Sequence, residues 1–438
     1  MYPDMDEELT RPPLPAHYRR NFWCLALDFC FFGVGMAFFG PSTVLPSFLT
    51  TLGASATVIG FLATLQRAGW LMPQLVAARY LADKPFKKPF ILIPAAISRS
   101  MLLLLAGFVV ATKAQPSGLM ILVTLLSLAI FWIGDGLGSL AWFDFLSKSI
   151  PPRRRGRLTG VGQVLSGLFS FLAGFAVEWM LSDRGPKFPV NYAALFALGF
   201  AMLAGSFISI SLGIEEEGVT ASRVPSWREY LPQLGHVLRH DHAFRRYLIT
   251  RQIFSLSGLA TPFYMTFALD ELHLPSQVAG RYTSVGVVGS IIAAILFGWL
   301  NERHGTLRAS QVSIPVTAAV PVLALLIPRF ITDPTWLAWA YALVFLTMNA
   351  SMSCYLPAWT AFVLEWASDT ERPLYVGLTN SLNGLTALFS TLGGLILQWT
   401  GDNYQFLFIL TLVGTLIALP LSFGLPEPRE TVREKVLA

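Results

Sequence analysis

The chain has 438 residues, of which 54% are hydrophobic and only 13% are charged, and its formal net charge is +5. Soluble domains contain about 25% charged residues, so this composition, with a mean hydropathy of +0.57, excludes a water-soluble globule. The N-terminal segment lacks the apolar core of a secretory signal, so we expect the first apolar run to be retained. Three cysteines in apolar runs, Cys24, Cys30 and Cys354, indicate free thiols and no disulfide framework.

Long apolar runs recur along the whole chain. A helix needs about 20 apolar residues to cross a bilayer, whereas a β-barrel would show short alternating segments. The sequence therefore predicts an all-α polytopic membrane protein with twelve transmembrane helices in two pseudo-symmetric six-helix halves. The first-half spans are expected at residues 22–48, 57–80, 89–111, 117–146, 157–181 and 191–213. The second-half spans are expected at residues 246–270, 276–300, 308–328, 335–364, 374–399 and 404–424.

The basic residues are distributed unevenly about these spans. Of the 31 Lys and Arg residues, twenty-three fall on the side of the N-terminus and five on the other side. Because basic loops stay in the cytoplasm, we expect both termini to be cytoplasmic and the protein to lie in the inner membrane of a cell. The predicted units are a tail (1–21), a first half (22–213), a linker (214–245), a second half (246–424) and a second tail (425–438).

The linker contains one amphipathic stretch. Trp227, Tyr230, Leu231, Leu234 and Leu238 fall largely along one face of a helix. This pattern predicts a short helix on the inner membrane surface. A disordered linker is the alternative.

The two halves resemble each other in sequence. Residues 140–168 align with residues 357–385 at a constant offset. The matching pairs are Ala141/Ala358, Trp142/Trp359, Phe145/Phe362, Arg155/Arg372, Gly160/Gly377 and Gly167/Gly384. Such a repeat indicates two like-folded halves with a substrate path at their interface.

The loop after the second span carries a charged motif that returns in the second half. Residues 79–88 read RYLADKPFKK, and residues 298–306 read GWLNERHGT. The chain thereby resembles the major facilitator superfamily of secondary transporters, whose signature in this loop is G-x-L-A-D-R-x-G-R-K. The first copy keeps the Leu-Ala-Asp core but has Arg79 and Phe86 in place of glycines. The second copy keeps both glycines, an acid and an arginine, and loses the final basic pair.

The resemblance implies a carrier that moves a small organic solute by alternating access. It also implies that the protein is not an enzyme and uses neither a cofactor nor a metal. We expect a monomer in the lipid bilayer, with protons as a further partner and without nucleic acid. The excess of bases is explained by membrane topology.

In this family the signature aspartate approaches the start of the eleventh span when the cytoplasmic side is closed. Pro373 suits a first helical position, and a helix N-terminus attracts a carboxylate. The lysines would hold the loop at the anionic inner leaflet. Plain positive-inside topology is the alternative, and it explains only the lysines. The predicted gating latch consists of Asp83, Lys84, Lys87, Lys88, Glu302 and Arg303.

The resemblance also implies that spans 1, 4, 7 and 10 line a central cavity. In each of them, polar or small residues recur at a spacing that places them on one helix face. With two residues of span 2, the candidate cavity residues are Asp28, Arg67, Gln74, Asp135, Trp142, Arg251, Tyr264, Asn349, Tyr355 and Trp359. The expected helix breaks are Pro41, Pro262 and Pro357.

Asp135, near mid-depth in span 4, is the first candidate for proton coupling, because ionisable groups inside a membrane usually face a cavity or a partner. The alternative is a fixed ion pair with Arg67 or Arg99. Arg67 could instead bind an anionic group of the substrate. Asp28 and Arg251 lie nearer the inner ends of their spans, where snorkelling to the interface is the simpler account. The aromatic candidates stack on a substrate or pack between helices.

Three other functions are alternatives. Drug/proton antiporters of the family share an arginine in span 4 and a Gly-Pro motif in span 5, whereas this chain has Asp135 and a proline-free span 5. A membrane-embedded enzyme is disfavoured because all six histidines lie in loops or at loop edges and no nucleotide-binding loop occurs. A non-transporting receptor or scaffold with the same fold is the third alternative, because a fold does not determine function.

Overall fold

The regular elements of the first half are helices. The structure is a computed structural model and describes residues 14–81, 83–217, 227–367 and 372–429. The first-half helices are α1 (Tyr18–Phe39), α2 (Val44–Thr51), α3 (Ala56–Leu81), α4 (Pro89–Thr112), α5 (Ser117–Ser149), α6 (Pro152–Leu181) and α7 (Val190–Leu212).

The linker and the second half are helical as well. The linker contributes α8 (Trp227–His240), and α9 (His242–Phe254) follows directly. A 3₁₀ turn (Ser255–Leu259) separates α9 from α10 (Phe263–Asp270), and a π-helical turn (Tyr355–Thr360) separates α12 from α13. The remaining helices are α11 (Val278–Phe330), α12 (Pro334–Cys354), α13 (Ala361–Trp366), α14 (Arg372–Thr386), α15 (Leu388–Trp399) and α16 (Tyr404–Ser422).

The helices confirm a polytopic membrane protein. Within the described ranges, 8 helices are long and apolar enough to cross a membrane. One of them, α11, has 53 residues, which at 1.5 Å per residue is long enough for two crossings. The count of twelve spans stays a prediction, because several expected spans are divided into shorter helices.

The long helix α11 is interrupted where the sequence predicts a loop. Gly305 has φ 85° and ψ 169° inside it, a conformation that glycine adopts at little cost. The two expected spans at 276–300 and 308–328 are therefore the two arms of one kinked element. The interruption allows the second arm to change direction at the end of the bundle.

The three predicted helix breaks lie at irregular segments. Helix α1 ends at Phe39, its C-cap Gly40 has φ 45°, and the chain turns past Pro41 before α2 begins. Pro262 directly precedes α10, after the 3₁₀ turn. Pro357 lies within the π-helical turn of residues 355–360, an arrangement that often occurs at functional sites.

The main hydrophobic cluster contains residues of both halves, which meet along several helix pairs. Helix α6 contacts α11, and α3 contacts α14 and α15. Glycines permit the approach: a Cβ at Gly280 would lie 2.1 Å from the backbone nitrogen of Glu178, and one at Gly394 would lie 2.4 Å from the carbonyl oxygen of Ala56. These contacts place a common interface between the halves, where a substrate path is expected.

The linker does form a helix, α8. The side chains of Trp227, Tyr230, Leu231 and Leu234, which carry the amphipathic prediction, lie outside the described part of the chain. Asp241 then caps α9 by accepting a hydrogen bond from the backbone N–H of Phe244 at 2.8 Å. The location of α8 on the membrane surface therefore stays a prediction.

Candidate functional site

Asp135 lies where three helices of the first half approach one another. It is flanked by two glycines whose missing side chains allow close contact on both sides. A Cβ at Gly134 would lie 2.8 Å from the Cβ of Ser98 in α4, and one at Gly136 would lie 2.5 Å from the carbonyl oxygen of Trp70 in α3. The Trp70 side chain directs its polar N–H towards the Asp135 carboxylate. The Gly-Asp-Gly sequence thus holds this carboxylate between α3 and α4.

A second carboxylate, that of Asp28, lies in the same half. Its side chain accepts a hydrogen bond from Trp142 Nε1 at 2.8 Å and a very short one from Ser206 Oγ. Asp28 is only 6% exposed, so its head group is held by other helices inside the bundle. The snorkelling interpretation of Asp28 is therefore wrong.

Arg99 of α4 joins the two carboxylates into one cluster. The guanidinium interacts electrostatically with both Asp28 and Asp135 and donates a hydrogen bond from Nη1 to the carbonyl oxygen of Leu203 at 2.9 Å. Arg99 is buried, and burying a charge is costly unless it is paired. The first-half cluster, defined as Asp28, Arg99 and Asp135, therefore contains two acids and one base.

The second half contains a buried cation in different surroundings. Arg251 of α9 is 1% exposed. Its guanidinium donates hydrogen bonds to the hydroxyl of Tyr247 at 2.5 Å, to Oδ1 of Asn383 at 3.2 Å and, through a very short contact, to the hydroxyl of Tyr355. The Tyr355 ring also lies beneath the guanidinium, with the centroid 4.4 Å from Cζ. Arg251 is therefore enclosed by neutral groups, and its interpretation as an interfacial residue is wrong.

Two aromatic candidates lie in the core of the second half. Trp359 is fully buried, stacks on Phe254 at 4.8 Å and donates its Nε1 hydrogen to Ser313 Oγ at 3.0 Å. Tyr264 is also buried, and its carbonyl oxygen accepts a hydrogen bond from the Tyr341 hydroxyl at 3.0 Å. Both side chains are occupied by helix packing and do not face an opening in this structure.

The remaining cavity candidates are less constrained. Arg67 is partly buried, and its guanidinium bonds to none of the residues that the structure describes. Gln74, which lies two turns further along the same helix, has a buried Nε2 without a hydrogen-bond partner in the described chain. Asn349 donates to the Phe345 carbonyl of its own helix at 2.9 Å.

The predicted latch is not engaged at Asp83. Its carboxylate is 65% exposed and pairs with the adjacent Lys84 at 3.2 Å. The side chains of Arg79, Arg372 and Pro373 lie outside the described part, as does Ala82. In the second copy, Glu302 and Arg303 are exposed, and Arg303 lies over the Trp299 ring at 5.5 Å. The latch stays a prediction for another conformation.

The lysines of the loop bind protein atoms. Lys87 Nζ pairs with Asp144 Oδ1 at 2.8 Å, and Lys88 Nζ donates to the carbonyl oxygens of Ser211 and Gly213 at 2.6 Å each. Burial lowers the pKa of Lys88, and the Glu215 carboxylate opposes that shift. The expectation that Lys87 and Lys88 hold the loop to lipid head groups is wrong, since both ammonium groups are already occupied.

Glu215 organises this end of the first half and was not predicted. Its carboxylate accepts hydrogen bonds from the backbone N–H groups of Lys87 and Lys88 at 2.7 and 2.8 Å, and it pairs with Lys148 at 3.3 Å. Asp144 pairs with Lys148 as well, at 2.6 Å. The sequence offered one signal for Glu215, an acid two residues past the sixth predicted span.

Two family models match different parts of the chain. A family model described as Major Facilitator Superfamily matches residues 248–437, and one described as Sugar (and other) transporter matches residues 11–211. Multidrug resistance protein 2 of Bacillus subtilis is 21% identical over 385 residues, which cover 86% of this chain and 88% of that protein.

Solved transporter structures share the fold at low identity. A variant of the nucleoside transporter NupG has a TM-score of 0.67 at 14% identity, with 93% of this chain and 99% of that chain covered. The D-xylose-proton symporter has a TM-score of 0.65 at 13% identity, with 94% and 99% covered. At these identities the likeness concerns the fold alone.

Proposed function

Because the chain belongs to the major facilitator superfamily of secondary transporters, we propose that it moves a small organic solute by alternating access, with protons as the coupling ion. The proposed location is the cytoplasmic membrane, with both termini inside the cell. The observation that carries the proposal is the first-half cluster. In it, two carboxylates interact electrostatically with one buried guanidinium inside the bundle.

The charge balance of this cluster supports proton coupling. With both carboxylates ionised, Asp28, Arg99 and Asp135 carry a net negative charge, and a net charge inside a membrane protein is costly. One bound proton makes the cluster neutral. Trp142 and Ser206 already donate hydrogen bonds to Asp28, which stabilises its ionised form. Asp135, which receives fewer such bonds, is therefore the proposed proton carrier.

The contacts between the halves support alternating access. We call the end of the bundle at residues 39–56 and 181–190 the distal end. All described hydrogen bonds between the two halves lie along the parts of the helices that are nearer the distal end. They include Thr43 to Thr283 at 2.8 Å, Thr57 to Gln398 at 2.7 Å and Arg281 to Glu178 at 2.5 Å. The halves are joined at the distal end, and Asp83 at the opposite end forms neither a hydrogen bond nor an ion pair with the described residues of the other half. Both observations support a conformation that is closed at the distal end.

The test begins by finding a solute through thermal stabilisation of the purified protein against a panel of nucleosides, sugars and small peptides. Proteoliposomes then measure accumulation of that solute under an imposed pH gradient and, separately, exchange without a gradient. We expect Asp135→Asn to lower gradient-driven accumulation at least tenfold while exchange continues. Asp183→Asn is the matched control, since Asp183 is a loop acid with a fully exposed side chain.

Two outcomes would contradict the proposal. Full gradient-driven accumulation by Asp135→Asn would remove the proton-carrier assignment. A solute that stabilises the protein but never crosses the membrane would favour the receptor alternative over transport.

A further inference from the structure

A basic cavity of ≈ 380 Å³ lies at the junction of α1 and α6, away from the first-half cluster. Arg19 contributes from the start of α1, and Arg154 and Arg157 contribute from the first turns of α6. The described lining residues include no acid. Three guanidinium groups around one cavity attract an anion, and a planar guanidinium suits phosphate in particular.

These three arginines differ from their neighbours in having no partner in the described chain. Arg20 donates its Nε hydrogen to the Leu212 carbonyl at 2.8 Å. Arg155 donates to the carbonyl oxygens of Ile150 and Ser147 at 3.2 and 3.1 Å. By contrast, the guanidinium groups of the cavity form neither a hydrogen bond nor an ion pair with any residue that the structure describes. They are available to a ligand.

The remaining walls of the cavity are apolar and aromatic. They are formed by Leu14, Tyr18, Phe22 and Trp23. Trp23 is 56% exposed although it begins a predicted span, and tryptophan concentrates at the level of the lipid head groups. The cavity thus has both cationic side chains and an apolar surface that suits acyl chains. Binding of a free inorganic anion would require only the cationic side chains.

We propose that this cavity binds the phosphate group of an anionic phospholipid of the inner leaflet. The phosphate lies between Arg19, Arg154 and Arg157, and the proximal part of an acyl chain lies against Phe22 and Trp23. Basic pockets between transmembrane helices on the cytoplasmic side recognise anionic head groups in this way. The bound lipid joins the first and fifth predicted spans.

The main experiment titrates the purified full chain with dioleoyl phosphatidylglycerol and counts bound lipid by native mass spectrometry. We expect Arg154→Gln/Arg157→Gln to weaken binding at least tenfold. The control Arg239→Gln/Arg308→Gln removes the same charge from two exposed arginines elsewhere and should bind like the wild type. Equal binding by the two double variants would overturn the proposal.

Further titrations distinguish an anionic phospholipid from other anions that the cavity could bind. Dioleoyl phosphatidylcholine and inorganic phosphate should each bind at least tenfold more weakly than phosphatidylglycerol, and equal binding of either would overturn the lipid assignment. The chain also carries Asp4, Asp6, Glu7 and Glu8 ahead of the cavity. If neutralising these four acids raises phosphatidylglycerol affinity tenfold, the acidic segment is the occupant and the proposal fails. Unchanged affinity supports it.

A second measurement uses the folded wild type and does not depend on the arginine variants. Phosphatidylglycerol brominated on its acyl chains should quench tryptophan fluorescence more than brominated phosphatidylcholine. Trp23→Phe should abolish the excess, because Trp23 is the tryptophan of the cavity. Equal quenching by both lipids, or an excess that survives Trp23→Phe, would contradict the placement of the lipid.

Discussion

At the scale of single residues, several of the charged groups that the structure describes are paired across helices. Glu215 is an example, since its side chain is 4% exposed and accepts two backbone N–H groups at the start of α4. A carboxylate in that position satisfies unpaired donors and interacts favourably with the helix dipole. Glu427 has the same role in the second half, where it accepts the N–H of Leu307 at 3.1 Å. In each half, an acid that follows the last helix therefore accepts a backbone N–H just before the third predicted span.

We expect Glu215→Gln to lower the free energy of unfolding by about 1–3 kcal/mol, because a neutral amide cannot replace a buried carboxylate that accepts from two N–H groups and a lysine. Thermal unfolding in detergent, followed by tryptophan fluorescence, measures the change. Glu217→Gln is the control, since Glu217 is an exposed acid two residues away. Equal midpoints for the two variants would contradict the role given to Glu215.

At the scale of elements, glycines decide how closely the two halves approach. Gly174 of α6 faces Gly280 of α11: a Cβ at Gly174 would lie 2.7 Å from the Gly280 carbonyl oxygen, and a Cβ at Gly280 would lie 2.4 Å from that of Gly174. Their contact is one of the seams that close the distal end. The internal sequence repeat revealed like-folded halves but did not reveal this seam, since the repeat pairs glycines of α6 with those of α14.

We expect Gly280→Ala to force α6 and α11 apart and to open the distal end more often. A single cysteine introduced by Thr283→Cys, with the three native cysteines replaced by serine, reports this opening through its labelling rate with a membrane-impermeant maleimide. Gly280→Ala should raise the rate several-fold. Gly107→Ala should leave it unchanged, because a Cβ at Gly107 meets nothing within 4 Å. Equal rates in both variants would show that the seam does not control closure.

At the scale of the whole molecule, the halves are joined distally by polar contacts that accompany a shared hydrophobic cluster. The hydroxyl groups of Thr43 and Thr283 meet at 2.8 Å, and Thr64 donates to the Ala387 carbonyl at 2.7 Å. Hydrogen bonds of this kind contribute little net free energy, because water can replace either partner. The polar part of the interface can therefore be broken and re-formed when the halves change their arrangement.

We expect an oxidised Thr43→Cys/Thr283→Cys variant, in the same cysteine-free background, to lose transport of the identified solute at least tenfold. The disulfide would hold the distal end closed, and reduction with dithiothreitol should restore the rate. Each single cysteine variant under oxidising conditions is the control. Full transport by the cross-linked protein would contradict alternating access at this end.

Much of the chain's organisation follows from the sequence alone. The helical membrane class, the positions of most spans, the repeat and the bias of basic residues are local or additive properties, because hydropathy and charge are summed along the chain. The candidate status of Asp135 followed in the same way, from one acid inside an apolar run. The glycines that flank Asp135 are evident in the sequence, but the sequence does not show which helices pack against them.

The partners of the charged residues were decided only by the tertiary structure. Asp28 meets Ser206 across 178 positions of sequence, and Arg251 meets Asn383 across 132. Which face each helix turns towards its neighbours depends on the packing of all the helices at once, and a rotation of one helix exchanges its partners. For that reason the sequence by itself determined the membrane class and the duplicated plan, whereas only the packed bundle decided that Asp28, Arg99 and Asp135 form one cluster and that Arg251 lies among neutral groups.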